Sequence, residues 1–451
     1  MEKFHLKNAT DFQLINGQKY DKYINLQYDD MDQIKRVQNS LFIEHFHYIS
    51  HHSPFYMSLY NSLGLNIEEI KTIEDIVKLP FTEKSDINND FICVDQKEIV
   101  DLCLTSGTSG TPTIVPLTSN DLARLAFNEQ IAFQIAGVTN LDTMLICAAI
   151  DKCFMAGIAY FLGGVKLNAR MVRAGSNDSA QSWEMINFTN TSVIVGVPSL
   201  IYRIGQYAIK NGKNPADCGV RKLIAIGEPI RDKNLNLIPV AEELEKMWGA
   251  KIFSTYASSE IATTFCECEK QQGGHIRPEL NLVEIIDENG NRVKDGEVGE
   301  VVTTPLGVTG MPLIRFKTGD ISFIINEKCS CGRNTNRLGP IIGRKNQMLK
   351  YKGTTIFPES IISVLEGESL FHSGYVEAKK NTDGTDRVIL FISFNNNNDN
   401  HPESKINWVK EKLRAKIRVA PEVVLISRDD ADKKIYQLDK KRKRQTFFDL
   451  R

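Results

Sequence analysis

The spacing of apolar residues changes character twice along the chain. Up to about residue 100 they recur with helical periodicity, most clearly in QIKRVQNSLFIEHFHYI, which predicts a mostly helical start. Thr82, ahead of EKSDI, has the features of a helix N-cap. From residue 101 the apolar residues gather into short β-branched runs, LDTMLICAAI, TSVIVGV, VRKLIAIG and AKIFSTY, each followed by a polar or amphipathic stretch. Strands that are apolar on both faces and separated by helical segments pack as a largely parallel sheet between helices. This part therefore predicts a layered α/β domain. Between 280 and 325 the texture turns antiparallel: NLVEIIDENGNRV contains an Asn-Gly turn, and GEVGEVVTT reads as a further strand.

The second change follows GPIIGRKNQMLKYKG, beyond which the elements are fewer and smaller. Strands SGYVEAKK, RVILFISF and EVVLISR and the helix ESKINWVKEKLRAKI predict a small α+β domain. The expected organisation is a large N-terminal multi-layer α/β domain over 1–343, its first 100 residues mostly helical, and a small mobile C-terminal domain over 344–451. The stretch NNNNDNHPES buries too little apolar surface to order itself and reads as a solvated loop. No period of 20–50 residues repeats.

Composition narrows the partners. The 451 residues are 42% hydrophobic and 25% charged, ordinary globular values that allow two or three domains. Fifty-five basic residues against 56 acidic ones leave a net charge of −1, so no global field draws in nucleic acid or an anionic membrane. The basic tail KKIYQLDKKRKRQTFFDLR alone would suggest such a partner; in a near-neutral chain it reads as a solvated face or a local site. The opening MEKFHLKNATDFQ lacks an apolar signal core, and runs such as MLICAAI are too short to span a bilayer. A soluble, cytoplasmic protein is expected, with neither membrane nor nucleic acid as a partner. Nine cysteines without an export signal argue against a disulfide framework. Cys93, Cys103, Cys147, Cys153 and Cys218 are scattered, whereas Cys266/Cys268 and Cys329/Cys331 form two C-x-C pairs.

The candidate chemistry begins at TSGTSGTP, residues 105–112. Thr105, Ser106, Gly107, Thr108, Ser109, Gly110 and Thr111 are the residue types that present backbone N–H groups and hydroxyls to phosphate oxygens. By itself such a loop reads more readily as a flexible linker, and it is not a GxxxxGK[ST] loop, because no lysine follows the second glycine. Its company alters that balance. GEP at 227–229, YASSE at 256–260, RFKTGD at 315–320 and GR at 343–344 follow in order. This set resembles the adenylate-forming superfamily of acyl-CoA ligases. More narrowly it is similar to the phenylacetate–CoA ligase family, on GTSGTPT with threonine at 113 where the wider superfamily has lysine, on GRKNQMLKYKGTTIFPESI, on the compact N-terminal part, and on the basic stretch ending in FFDLR. The resemblance spans about 100–451.

The resemblance implies an ATP-dependent enzyme that joins a small carboxylic acid, of aryl or arylacetic type, to the thiol of CoA through an acyl-adenylate. The loop 105–111 would hold the β- and γ-phosphates. Gly227, Glu228 and Pro229 would lie along the adenine, a surface turn being the plainer reading. Tyr256 would stack on the base, Ser259 would meet the α-phosphate, and Glu260 would bind Mg²⁺; a helix-N-terminal acid is the alternative for Glu260. Asp320 would accept from both ribose hydroxyls, with Arg344 in support, unless the two form only a structural ion pair. Lys443 matches the mobile lysine that stabilises charge at the reacting centre, with Lys440 and Lys441 as rivals. Gln347 stands at the hinge position where relatives carry aspartate or lysine, and Gly353 would line the pantetheine path. Phe154 falls beside the acyl pocket of relatives, although at helical spacing with Ile158 and Phe161 it is equally core.

Cys268 and His275, with Cys329 and Cys331 of CSCGR, match a pattern found in part of that family. They would form a closed, structural Zn²⁺ site; reduced surface cysteines are the alternative. A carrier-protein thiol in place of CoA, an adenylyltransferase acting on a cofactor, and a non-catalytic nucleotide-binding module are the competing functions. Family resemblance also implies a homodimer.

Overall fold

The computed structural model describes residues 18–105, 113–151, 153–175, 178–351, 354–366, 368, 370–381, 386–395, 402–417, 419–436 and 445–451. The chain packs into two compact units. The first comprises Met1–Pro229, Leu244–Thr318 and Phe323–Pro340; the second comprises Ile230–Glu243, Gly319–Ser322 and Ile341–Arg451.

The core of the first unit is a nine-stranded sheet. Arg170–Arg173, Thr143–Cys147, Val193–Gly196, Lys222–Ala225 and Lys251–Ser258 lie side by side in that order, all parallel. These are the apolar runs of the sequence, and the residues of Thr143–Cys147 and Val193–Gly196 are buried throughout, as strands covered on both faces require. Thr263–Glu267 then continues the sheet antiparallel, followed by Gly274–His275, Arg337–Leu338 and Ile324–Ile325. Helices Ser119–Ile135, Met155–Lys166, Ser179–Thr189 and Pro198–Lys210 accompany the parallel strands, and Phe127, Ile131, Ile146, Val195, Ile224 and Phe253 join in one buried cluster. Each such side chain contributes roughly 1.5–3 kcal/mol of transfer free energy. Asn281–Ile286 and Gly299–Pro305 form a separate antiparallel pair, with Gly290 of the Asn-Gly turn at φ +85°.

The helical start ends earlier than its periodicity suggests. Met31–His52 and Pro54–Ser62 are helices, but from there to residue 98 only short 3₁₀ turns occur among the described residues. Side chains cap backbone N–H groups within a turn or so, as Asn66 does for Glu68 and Asp75 for Lys71 and Thr72, and this competes with a continuing helix. Thr82 is not an N-cap. It is buried, its hydroxyl donates to the Ile314 carbonyl at 2.9 Å, and it bridges to Phe316 in parallel fashion. The N–H of Glu83, one residue later, is bound by Asp86 at 2.8 Å. No helix among the described residues is long and apolar enough to cross a membrane.

In the second unit Phe371–Lys380 and Asp386–Phe394 form an antiparallel hairpin, flanked in parallel by Phe447–Asp449 and Glu422–Leu425. Helices Pro358–Leu365, Pro402–Ile417 and Arg428–Tyr436 complete it, around a core that includes Val376, Leu390, Ile392, Val409 and Leu413.

Candidate active site

Ligands of open α/β sheets gather beyond the carboxyl ends of the parallel strands, and four of the segments singled out in the sequence arrive there. The Phe154 segment follows Thr143–Cys147, Gly227–Pro229 follows Lys222–Ala225, and Ser259–Glu260 follows Lys251–Ser258. The fourth, the base of the 105–111 loop, is brought to the same edge when the Leu104 N–H donates to the Cys153 carbonyl at 2.8 Å.

The loop leaves and returns through paired strands, Ile99–Leu104 and Ile114–Thr118. Thr105 closes it. Its N–H donates to the Thr113 carbonyl at 3.0 Å, and its Oγ1 accepts from the Thr113 N–H at 3.1 Å. A buried threonine thus fixes both ends of the loop. Ser106, Gly107, Thr108, Ser109, Gly110 and Thr111 lie outside the described residues.

Tyr256, Ser259 and Glu260 sit on a hairpin. Tyr256 is opposite Phe265, their ring centroids 6.1 Å apart and stacked at 23°. Ser259–Ala262 is the turn, closed by the Ala262 N–H donating to Ser258 O at 3.1 Å, with Ala262 at φ +44°. Glu260 therefore stands on a turn and caps no helix, which removes that alternative. Its carboxylate meets the Lys84 ammonium at 2.8 Å. A carboxylate oxygen is the donor a hard divalent cation takes, and Lys84 is the group such an ion would have to compete with. Sequence reasoning missed Lys84 because EKSDI was read only as a helix start.

Glu228 is already committed. Its two oxygens accept from the Ser199 N–H at 2.9 Å and the Ser199 hydroxyl at 2.7 Å, at the N-terminus of Pro198–Lys210. A carboxylate there complements the helix dipole. What Gly227–Pro229 can offer a base is its backbone and the proline ring. Phe154 is partly buried against the core cluster at the start of Met155–Lys166.

In the second unit Asp320 and Arg344 face each other across an antiparallel pair, with Arg344 Nε 3.2 Å from Asp320 Oδ1. Asp320 is buried, whereas the Arg344 side chain is 49% exposed. The preceding Gly343 has to be glycine, because a Cβ there would stand 2.3 Å from the Phe357 ring. That close approach sets the start of Pro358–Leu365 beside the pair. Burial raises the Glu359 carboxyl, and the Asp320 charge adds to this while Arg344 opposes it. Gln347 lies in the 3₁₀ turn Lys345–Gln347. Lys440, Lys441, Lys443 and Gly353 lie outside the described residues.

Cys268, His275, Cys329 and Cys331 converge in the first unit, all their ligand atoms within 4.8 Å of one another. A tetrahedral zinc with bonds of about 2.3 Å to sulfur and about 2.0 Å to nitrogen spaces its ligands roughly 3.8 Å (S to S) and roughly 3.5 Å (S to N) apart. Cys268 Sγ and Cys329 Sγ are 3.7 Å apart, and Cys331 Sγ and His275 Nε2 are 3.5 Å apart. His275 Nδ1 lies 3.0 Å from the Thr335 hydroxyl, which orients the ring as metal-bound histidines are oriented. Burial lowers the His275 pKa and favours the neutral imidazole that a metal needs. Burial pushes the Cys268 thiol up to about 12. At Cys331 burial acts the same way, but hydrogen bonds from His275 and Arg333 prevail and bring the thiol down to about 5. Cys266 is not part of the group.

The family of AMP-binding enzymes matches residues 62–310. The phenylacetate–coenzyme A ligase of Thermus thermophilus is 29% identical over 327 residues, 70% of this chain and 72% of that protein. The phenylacetate–coenzyme A ligase of Pseudomonas putida is 27% identical over 316 residues, 68% and 70% of the two chains. Among solved structures, 2-hydroxyisobutyryl-CoA ligase in the postadenylation state superposes with a TM-score of 0.82 at 21% identity, covering 94% of this chain and 91% of that one.

Proposed function

Because this chain belongs to the AMP-binding enzymes, on the branch of the phenylacetate–CoA ligases, we propose that it activates a small aryl or arylacetic acid with ATP and passes the acyl group to CoA. The observation that carries this reading is the convergence of the Thr105–Thr113 loop base, Gly227–Pro229 and the Ser259–Ala262 turn at the carboxyl edge of one parallel sheet.

In the first step an acid carboxylate oxygen bonds to the α-phosphorus of ATP, and pyrophosphate leaves with the electron pair of the broken P–O bond. The loop closed by Thr105 receives the departing phosphates, Tyr256 covers the base, and the Ser259 hydroxyl donates to the α-phosphate. Asp320, oriented by Arg344, accepts from the ribose hydroxyls. Lys443 places an ammonium where negative charge grows. Mg²⁺ fits a site with Glu260 as its protein ligand and would neutralise phosphate charge there. In the second step the CoA thiolate attacks the acyl carbon and AMP leaves with the bonding pair. Cys268, His275, Cys329 and Cys331 would hold Zn²⁺ with all four positions taken by protein, so the metal would supply structure rather than chemistry.

The test is pyrophosphate release from ATP across a panel of aryl, arylacetic and short aliphatic acids, with and without CoA. We expect acid-dependent release, with acyl-CoA and AMP as products when CoA is present. Adenylate that accumulates and never passes to CoA would overturn the ligase reading in favour of an adenylyltransferase. Silence across the panel would leave only nucleotide binding.

A further inference from the structure

The strand Ile114–Thr118, which leaves the loop base, runs straight into the helix Ser119–Ile135, and this helix reaches back to the Ser259–Ala262 turn. Thr118 and Asp121 cap its start reciprocally, the Asp121 N–H donating to Thr118 Oγ1 at 3.2 Å and the Thr118 N–H to Asp121 Oδ2 at 3.0 Å. One turn further on is Arg124, 0% exposed. Its Nε donates to Leu306 O at 2.7 Å, its Nη2 to Leu280 O at 2.6 Å and to Thr263 Oγ1 at 3.0 Å, and its Nη1 to the carbonyl of Ala262. Among the described residues, no acceptor in this set is a carboxylate. One turn beyond, Asn128 Oδ1 accepts from the Thr264 N–H at 3.1 Å.

Putting a guanidinium fully inside a protein is costly unless its donors are all used. Here the planar fork serves four acceptors that sit on three separate segments, an arrangement lysine cannot reproduce. One of them is the carbonyl of Ala262, a residue with a side chain held in the left-handed region, where the backbone costs about 1 kcal/mol or more unless its surroundings enforce it. Arg124 supplies that enforcement. We infer that Arg124 is a positioning residue: it holds the turn bearing Ser259 and Glu260 in register with the phosphate-loop base at the other end of the same strand–helix unit. Packing of an arginine for fold stability alone would not require its fork to bind the last turn residue and the first strand residue after it.

This inference rests on the proposed roles of Ser259 and the loop, so the experiment separates the two. Arg124→Lys and the milder Thr263→Val, which removes one acceptor without emptying the site, are compared with wild type. The readouts are amide exchange of 259–264, affinity for a non-hydrolysable acyl-adenylate analogue, and steady-state kinetics. We expect exchange in 259–264 to quicken at least about tenfold while Pro198–Lys210 is unchanged, with weaker analogue binding. We expect kcat to fall about 100-fold in Arg124→Lys with the acid KM little altered, the scale set by ångström misplacement of reacting groups. Folded variants with wild-type exchange and analogue affinity would overturn the positioning role. Ser259→Ala should weaken the analogue without altering exchange; if it does not, the nucleotide reading beneath the inference fails, whatever Arg124 does.

Discussion

Glu129 sits one residue beyond Asn128 on the helix whose Arg124 binds the Ala262 carbonyl, 3% exposed. Its Oε1 accepts from the Thr264 hydroxyl and from Asn128 Nδ2, and its Oε2 has no hydrogen-bond partner among the described residues. Burial pushes the carboxyl up to about 7, against the opposing pull of the Thr264 and Asn128 hydrogen bonds. The folded chain therefore holds this proton more tightly than the unfolded chain, whose carboxyl titrates near 4.5. Between those two values the unfolded state gives up the proton first, so stability is full below about 4.5, falls as pH rises, and levels off above about 7. The fall attributable to Glu129 is on the order of 3 kcal/mol. Glu129→Gln, which mimics the neutral form, should remove that slope and be the more stable protein at pH 8. Denaturant unfolding of both proteins across pH 4 to 8 checks this, and parallel curves would show that Glu129 is not the group titrating.

At the scale of elements, the short outer strands of the large sheet have little of their own to hold them: Gly274–His275, Arg337–Leu338 and Ile324–Ile325 are two residues each. The four zinc-ligand candidates lie on or beside them, so metal binding would staple strands too short to order themselves. We expect about one zinc per purified chain, falling close to zero in Cys329→Ser. Cys266→Ser should keep the metal, since that buried thiol is outside the four-residue group and its S–H donates to Glu267 O. Metal analysis of the two variants decides between the alternative C-x-C cysteines. Chelation should loosen amide protection first at 274–275 and 337–338. These elements also show what could be read beforehand. The parallel strands were legible because each is a continuous apolar run, and the Cys/His cluster because two short groups, one with Cys268 and His275 and one with Cys329 and Cys331, match a pattern found in part of the resembled family. The stretch 63–98 was misjudged because its apolar spacing says nothing of side chains such as Asp75 that end a turn early. Lys84 and Arg124 were invisible for a different reason. A lysine in a polar stretch and an arginine on a helix are ordinary in sequence, and only the fold brings them to Glu260 and to Ala262.

At the scale of the whole molecule, near-neutral net charge means that charged groups act through local pairs, and the clearest example in the second unit is its last residue. Arg451 donates to the carbonyls of Asn346 and Met348 at 3.2 and 3.0 Å, on either side of Gln347. It also meets Asp449 at 2.7 Å and Asp386 at 3.1 Å, the Asp386 side chain being only 1% exposed. The hydrogen bond and charge of Arg451 hold the Asp449 carboxyl below its ordinary range. One side chain thus ties the final strand Phe447–Asp449, the hairpin strand Asp386–Phe394 and the segment after Arg344 into a single body. Removing it leaves Asp386 buried, with Lys380 at 2.7 Å still among its partners. Breaking a buried pair from one side typically costs about 3–5 kcal/mol, and the surviving lysine places Arg451→Ala near the lower figure. Because the four partners of Arg451 among the described residues belong to the second unit, the cost should fall there alone. Native-state hydrogen exchange should show Phe371–Lys380 and residues 345–348 opening more readily in Arg451→Ala, while Thr143–Cys147 keeps wild-type protection. Equal loosening of both units would mean that they unfold as one and that the terminal arginine stabilises the chain globally.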